Sequence, residues 1–212
     1  VYVPRHFAQD DDAELARAVA AYPLATLVTA GADDGALDAS PLPMLLSRDA
    51  SGAWLLRGHL ARANPHGARL DGRPALAAFS GPSAYVSPSL YPSKAEHGRV
   101  VPTWNYVAVH AHGIARLVTE PGWLRQLVDQ LTATHEAGRP APWALADAPA
   151  GYVDGLLGAI VGVELTGVRL VGKWKLSQNR PDADRAGVAA GLTAAGGPAA
   201  TVAAEMLRLR RP

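Results

Sequence analysis

The chain has no cysteine. Disulfides, thiolate metal sites and a cysteine nucleophile are thereby excluded, and a reducing compartment suits it. Long hydrophobic runs are missing too. No apolar stretch approaches the roughly 18–20 residues that a bilayer requires, and residues 1–20 carry no signal-peptide core. The expectation is a cytoplasmic protein with no membrane partner. Neither sign of charge is in excess: 20 Lys and Arg stand against 19 Asp and Glu, a formal net charge of +1. That balance fits neither the basic footprint of a nucleic-acid protein nor an acidic disordered chain. Lysine itself is scarce, at Lys94, Lys173 and Lys175, and asparagine equally so, at Asn64, Asn105 and Asn179. Ala, Gly, Pro and Arg are abundant instead, the bias of a GC-rich bacterial genome that drifts away from Lys and Asn codons.

Against that bias, the placement of the few Lys and Asn carries information. All three Asn fall in motifs of one flavour: Ala-Asn-Pro-His at 63–66, Thr-Trp-Asn-Tyr at 103–106 and Ser-Gln-Asn-Arg at 177–180. The triple points to one polar binding site drawing on three distant segments. Two of the lysines share the run Lys173-Trp174-Lys175-Leu176-Ser177-Gln178-Asn179-Arg180. In an extended strand Lys173, Lys175 and Ser177 point to one face, and Trp174, Leu176 and Gln178 to the other. Two ammonium groups and a hydroxyl on one face anchor an anion, with Asn179 and Arg180 adding donors. The bland reading is a solvated basic edge strand.

Roughly half of the 212 residues are apolar, enough for one well-buried core with or without an appended helical piece. Asp10–Ala21 reads as a helix with an acidic start, ended by Pro23. Leu24–Thr29 is a strand and Gly31–Gly35 a polar turn. Leu42–Leu46 and Trp54–Arg57 flank Asp49-Ala50-Ser51-Gly52 as a hairpin. Asn64-Pro65 opens a short helix through Leu70. Pro74–Ser80 and Ala84–Ser87 read as two strands, followed by a Pro-, Ser-, Gly- and Tyr-rich loop from Pro88 to Pro102, long enough to suggest function. Asn105–Val118 and Ile160–Leu176 are long strands, and Trp123–His135 is an amphipathic helix. Two Ala-rich helices, Asp182–Leu192 and Pro198–Leu209, close the chain around Ala195-Gly196-Gly197. Strands in the middle and helices at the ends predict an α+β fold: an antiparallel barrel with peripheral helices. The reading is a single domain over 1–212, with about 182–212 a C-terminal helical extension.

Two further segments carry candidate site residues. Arg57 to His66 has the shape of a strand turning into a helix N-terminus, where backbone N–H groups favour phosphate and Arg62 supplies bidentate hydrogen bonds. His59 there either contacts a ligand or caps the strand, and Asn64 makes the turn. Trp104, Asn105 and Tyr106 place an aromatic, an amide and a hydroxyl side by side, a mix suited to a planar heteroaromatic ligand or, equally, to a core. His110 and His112 share a strand face without a local third ligand, so no metal is expected. Neither a dinucleotide glycine motif, a P-loop nor a hydrolase elbow occurs.

These motifs together resemble the PaiB family. The resemblance is carried by Tyr2-Val3-Pro4-Arg5-His6-Phe7, by Gly58–Pro65, by Phe79-Ser80-Gly81-Pro82 with Ala84–Pro88, by Val101–Tyr106 with Val109-His110, and by Gly172–Arg180. It runs in order from residue 2 to about 209. It implies an FMN-binding split β-barrel of Greek-key-like antiparallel strands, related in fold to pyridoxamine-phosphate oxidases. It also implies a homodimer with flavin sites at the subunit interface, and a role as a negative transcriptional regulator. Two positions depart from the family pattern: Gly67 and Leu90 each stand where an aromatic is usual, which predicts weaker flavin affinity. On this reading Arg62, the turn at Asn64 and the Lys173/Lys175 strand, with Ser177 and Asn179, hold the FMN phosphate. Trp104, Asn105, Tyr106 and His59 complete the cofactor site.

Three functions follow from different classes. One is the FMN-binding regulator. Its DNA contact has weak support, because Pro198–Leu209 offers Ala, Thr and Val where base-reading side chains belong, and only Arg208, Arg210 and Arg211 are basic. The second is a flavin-dependent oxidoreductase acting on a small molecule, with His59, His110 and Tyr91 as proton-donor candidates. The third is haem binding or degradation, which split barrels of related shape carry out. Fold alone does not choose among them.

Overall fold

Alternation of buried and exposed side chains commits the middle of the chain to strands. Along Leu24–Ala30 the buried positions are Ala25, Leu27 and Thr29, and from Asn105 the inward positions continue through Val107, Val109 and Ala111. The computed structural model describes residues 1–30 and 36–209. The expected Gly31–Gly35 turn lies outside the described residues.

In chain order the elements begin with β1 (Ala8–Gln9), α1 (Asp12–Ala21), β2 (Leu24–Ala30), β3 (Leu37–Pro43) and β4 (Leu45–Arg48). Then come β5 (Trp54–Ala61), α2 (Pro65–Leu70), β6 (Pro74–Val86), α3 (Ser93–His97) and β7 (Thr103–Val118). The chain continues with α4 (Pro121–Glu136), α5 (Tyr152–Leu157), β8 (Ile160–Lys175), α6 (Asp182–Ala195) and α7 (Gly197–Arg208). The strands form one sheet in the order β3-β2-β6-β7-β8-β5-β4, with β1 added to β8. The order ends at β3 and β4, so the sheet does not close, and the paired ladders are antiparallel, as in Leu27 opposite Ala77 and Leu60 opposite Val161. The expected α+β class with an antiparallel sheet and helices around it is what the chain forms.

Two compact units share these strands, because β6, β7 and β8 each contribute residues to both. The first comprises residues 1–18, 80–109 and 171–212. Its core includes Phe7, Leu15, Val86, Val107, Trp174, Leu176, Val188 and Met206. Here α6 and α7 pack on one another, and an ion network ties α1 to α7: Arg17 reaches Glu205 at 2.8 Å, and Arg208 contacts both Glu205 and Glu14. The second unit comprises residues 19–79 and 110–170, with Leu27, Leu56, Phe79, Leu124, Leu127, Val163 and Leu165 inside. Gly162 on β8 lies directly under the Trp123 ring of α4, where a Cβ would clash.

Several boundaries differ from the sequence reading. Pro74–Val86 is one strand rather than two. The apparent break at Gly81-Pro82 is a close approach instead: a Cβ at 81 would lie 3.0 Å from Val107, so the glycine lets β7 come near. Pro82 lies beyond Phe79, where the pairing with β2 ends, and its missing N–H costs that ladder nothing. Leu42–Leu46 divides at Met44 into the ends of β3 and the start of β4. The long loop holds a single 3-10 turn at Pro88–Leu90 and the short α3. Helix α5 has no start signal in the sequence; it follows Gly151, which has φ +75 and offers no side-chain cap.

Candidate functional site

Strand β8 ends at Lys175, and the chain then makes a tight turn that aims polar groups one way. Ser177 adopts φ +64, the one positive φ among the described non-glycine residues. Such a conformation in a residue bearing a Cβ is costly and tends to mark a functional site. The turn is tied by Gln178, whose side-chain amide donates to the Trp174 carbonyl and whose Oε1 accepts from the Leu176 N–H. The Arg180 N–H donates to the Ser177 carbonyl at 3.0 Å. Lys175, Ser177, Asn179 and Arg180 consequently line a cavity of about 140 Å³, together with Thr103 and Asn105 of β7, Tyr91, Phe7, Val101 and Pro102.

The cavity is cationic and free of carboxylates. Lys175 donates to Thr103 Oγ1 and to the Trp104 carbonyl. Burial pushes its pKa down, and repulsion from Lys173 and Arg180 adds to that; a bound anion would relieve both repulsions. The Arg180 guanidinium lies 4.9 Å from the Tyr91 ring centre. Tyr91 is only 2% exposed, and its hydroxyl has no hydrogen-bond partner among the described residues. Asn105, 1% exposed, exchanges hydrogen bonds with Ser177 Oγ at 3.0 and 3.2 Å. Lys173, which is not among the lining residues, is 8% exposed; its ammonium lies 5.3 Å from the Tyr106 ring centre and 5.9 Å from that of Tyr2. Cation–π contacts offset part of the desolvation of a charge that has no ion-paired carboxylate among the described residues.

The ten residues singled out from the sequence fall into three sets. Asn105, Lys175, Ser177 and Asn179 line the cavity. In the same unit Tyr106 and Lys173 face each other, and Trp104 offers its carbonyl to Lys175 while its exposed ring meets Tyr85 edge-on at 6.1 Å. His59, Arg62 and Asn64 belong to the second unit. There the Arg62 guanidinium donates to the carbonyls of Gly158 and Ile160, at 2.7 and 3.0 Å. Asn64 caps α2, accepting from the His66 N–H at 3.0 Å and donating to Ser40 Oγ. His59 lines a separate apolar cavity. Thr103 and Phe7 escaped the sequence reading, although Thr103 stands two residues before Asn105 on the same strand face and was readable from that spacing. His110 and His112 lie 6.1 Å apart, ring centre to ring centre, and no group of three metal-ligating side chains occurs among the described residues.

Two cations, two amides, two aliphatic hydroxyls and the Tyr91 phenol line the cavity, and these are the donors that a phosphate ester requires. The volume sets the limit. At about 140 Å³ the cavity falls below the roughly 300 Å³ at which cofactor pockets begin, so it has room for a phosphate-sized group and not for a whole flavin.

Residues 1–168 match the family model described as "Putative FMN-binding domain". The chain belongs to this family, that of PaiB. The match ends before Lys173, so the cationic turn lies just outside it. Among relatives, an uncharacterised protein of Emericella nidulans is 34% identical over 183 residues, covering 74% of this chain and 73% of its own. "Protease synthase and sporulation protein PAI 2" of Bacillus subtilis is 29% identical over 185 residues, covering 87% and 85%. Among solved structures, an FAD and heme binding protein from Mycobacterium smegmatis superposes with a TM-score of 0.59 at 20% identity, covering 87% of this chain and 80% of that one. The family is thus represented in fungi and bacteria, and the fold is the flavin-binding split barrel. No helix among the described residues is long and apolar enough to cross a membrane.

Proposed function

We propose that this chain binds FMN in particular, as a cytoplasmic homodimer, and that it is a regulator of the PaiB type. The observation that carries the reading is the acid-free cluster of Lys175, Arg180 and Lys173 beside Asn105 and Ser177, in a chain whose net charge is only +1. The flavin phosphate occupies the cavity, held by Lys175, Arg180, Ser177 and Asn179. The ring system, too large for the cavity, lies against exposed aromatics such as Trp104 and Tyr85, where a second subunit completes its enclosure. When bound, the flavin supplies one- and two-electron redox chemistry. The protein contributes binding, orientation and charge.

Direct reading of DNA draws no support from α7. Val202, Ala203, Glu205 and Met206 are buried, and Arg208 is ion-paired to Glu14 and Glu205. Regulation by this chain therefore runs through its flavin or a partner, not through an operator complex of its own. An oxidoreductase is the second reading, favoured by the unpartnered Tyr91 hydroxyl at the cavity, which is placed to give or take a proton.

Titration of FMN followed by flavin absorbance tests the main reading. Lys175→Ala removes a charged donor worth about 1.5–3 kcal/mol, so the FMN Kd rises roughly ten- to a hundredfold. Riboflavin, lacking the phosphate, binds weakly to both proteins. An FMN Kd unchanged by Lys175→Ala would remove this cavity from the flavin site.

A further inference from the structure

We propose that the second unit carries its own ligand site, a pocket for a small neutral aromatic or quinoid ring bearing one hydrogen-bonding oxygen, with His59 as its polar anchor. The pocket is an apolar cavity of about 210 Å³ walled by Val128, Leu145, Leu157 and Ile160, with Trp143 and Tyr152 as aromatic sides. It shares no lining residue with the cationic cavity. The proposal therefore stands whether or not flavin binds there.

Three observations specify the ligand. The first is size. An apolar cavity of about 150 Å³ accepts benzene, so 210 Å³ takes one substituted ring and excludes a flavin ring system. The second is polarity. Apart from His59 and the Tyr152 hydroxyl, the side chains lining the cavity are hydrocarbon or indole, and no charged side chain is among them, so a charged ligand would be desolvated without a counter-charge. The third is the anchor. His59 Nδ1 is buried and has no hydrogen-bond partner among the described residues. A buried polar atom left unpaired is costly, and a ligand oxygen that pairs with it recovers that cost. Burial also pushes the His59 pKa below its ordinary value, so near neutral pH the imidazole is uncharged and able either to donate or to accept.

The position of the aromatic walls agrees with a ligand site. Trp143, Tyr152 and Leu156 are exposed, an unusual expense of apolar surface for side chains that a buried core could hold. Tyr152, Val153, Leu156 and Leu157 all come from the single short helix α5, which follows a left-handed glycine and is tied to α4 by the Arg125–Asp154 ion pair. One side of the pocket is thus formed by a short helix on the unit's surface.

Calorimetric titration of the full chain with phenol, and with toluene as the isosteric ring without oxygen, tests the proposal. Phenol is expected to bind saturably and more tightly than toluene. In His59→Phe the phenol affinity falls roughly three- to tenfold, the worth of one neutral hydrogen bond, while toluene is unaffected. Leu156→Trp, at an exposed position that tolerates bulk, fills the cavity and abolishes binding of both rings. The proposal is overturned by toluene binding as tightly as phenol, by phenol binding that neither variant changes, or by no saturable binding at all. In that last case a fall in mass of Leu156→Trp on size exclusion would identify a second copy as the true occupant.

Discussion

Ser177 shows how one residue can set a site at a cost to the fold. Its φ of +64 suits glycine, yet the hydroxyl is needed, because Asn105 is fully enclosed and among the described residues its amide N–H otherwise reaches only the Met206 Sδ, at 3.5 Å. Ser177→Ala keeps the strained backbone and leaves a buried carboxamide short of a partner, a loss of about 1–3 kcal/mol. Ser177→Gly loses the same hydroxyl but relaxes the backbone, and the glycine variant is therefore the more stable of the two. Chemical denaturation of both variants checks the order. Equal stabilities would mean that the left-handed turn stores no strain.

At the scale of elements, the cationic cavity depends on how α6 receives the segment that carries Tyr91. One face of α6 presents Asp184, Gly187 and Gly191 at helical spacing. Asp184 accepts from the Ser93 N–H and hydroxyl, at 3.1 and 2.8 Å. At Gly187 a Cβ would strike the Leu90 carbonyl and come within 2.9 Å of Pro92 Cδ, and at Gly191 it would strike the Leu90 side chain. Leu90 is thus the side chain that fills the glycine groove. Gly187→Ala pushes Leu90–Pro92 outward and displaces Tyr91 from the cavity wall. The expected result is a loss of about 1–3 kcal/mol together with weaker FMN binding, and a melting temperature and flavin Kd equal to wild type would refute it. None of this packing is legible in the sequence, where Pro88–Pro102 reads only as a long loop and the glycines of α6 only as weak helix formers. The strands were legible, since period-two burial in β2, β7 and β8 is local to each. So was the cationic turn, because lysine is rare enough here for two together to stand out. The continuity of β6 was not, as Gly81 and Pro82 are breakers in isolation and become admissible only beside Val107 and past the end of β2. Nor was α5, whose start has no capping side chain and whose middle holds Gly155.

Across the whole molecule, the titrating groups are sorted between the two units, and this makes its response to acid uneven. His59, His66, His110 and His112 all belong to the second unit, and burial holds each below the ordinary imidazole value. The most enclosed is His66, 2% exposed, with Thr29 Oγ1 on one ring nitrogen and Ser40 Oγ on the other, each at 2.9 Å. A depressed native pKa means that, below about pH 6.5, the unfolded chain binds protons that the native chain does not. Stability is then complete above that value and declines as the pH falls toward the native pKa values, by at most about 1.4 kcal/mol per pH unit for each histidine. The first unit behaves differently. There the hydrogen bond from Arg208, opposed by burial and reinforced by Arg17, holds the Glu14 carboxyl below its ordinary value, so its contribution persists above about pH 4.5 and is lost only in stronger acid. Between pH 7 and pH 5 the loss should therefore fall on the second unit. Amide hydrogen exchange read by mass spectrometry should show protection in β5, α2 and residues 160–170 declining first, while α6 and α7 retain theirs. A uniform decline over both units would show that the four imidazoles do not control the acid response.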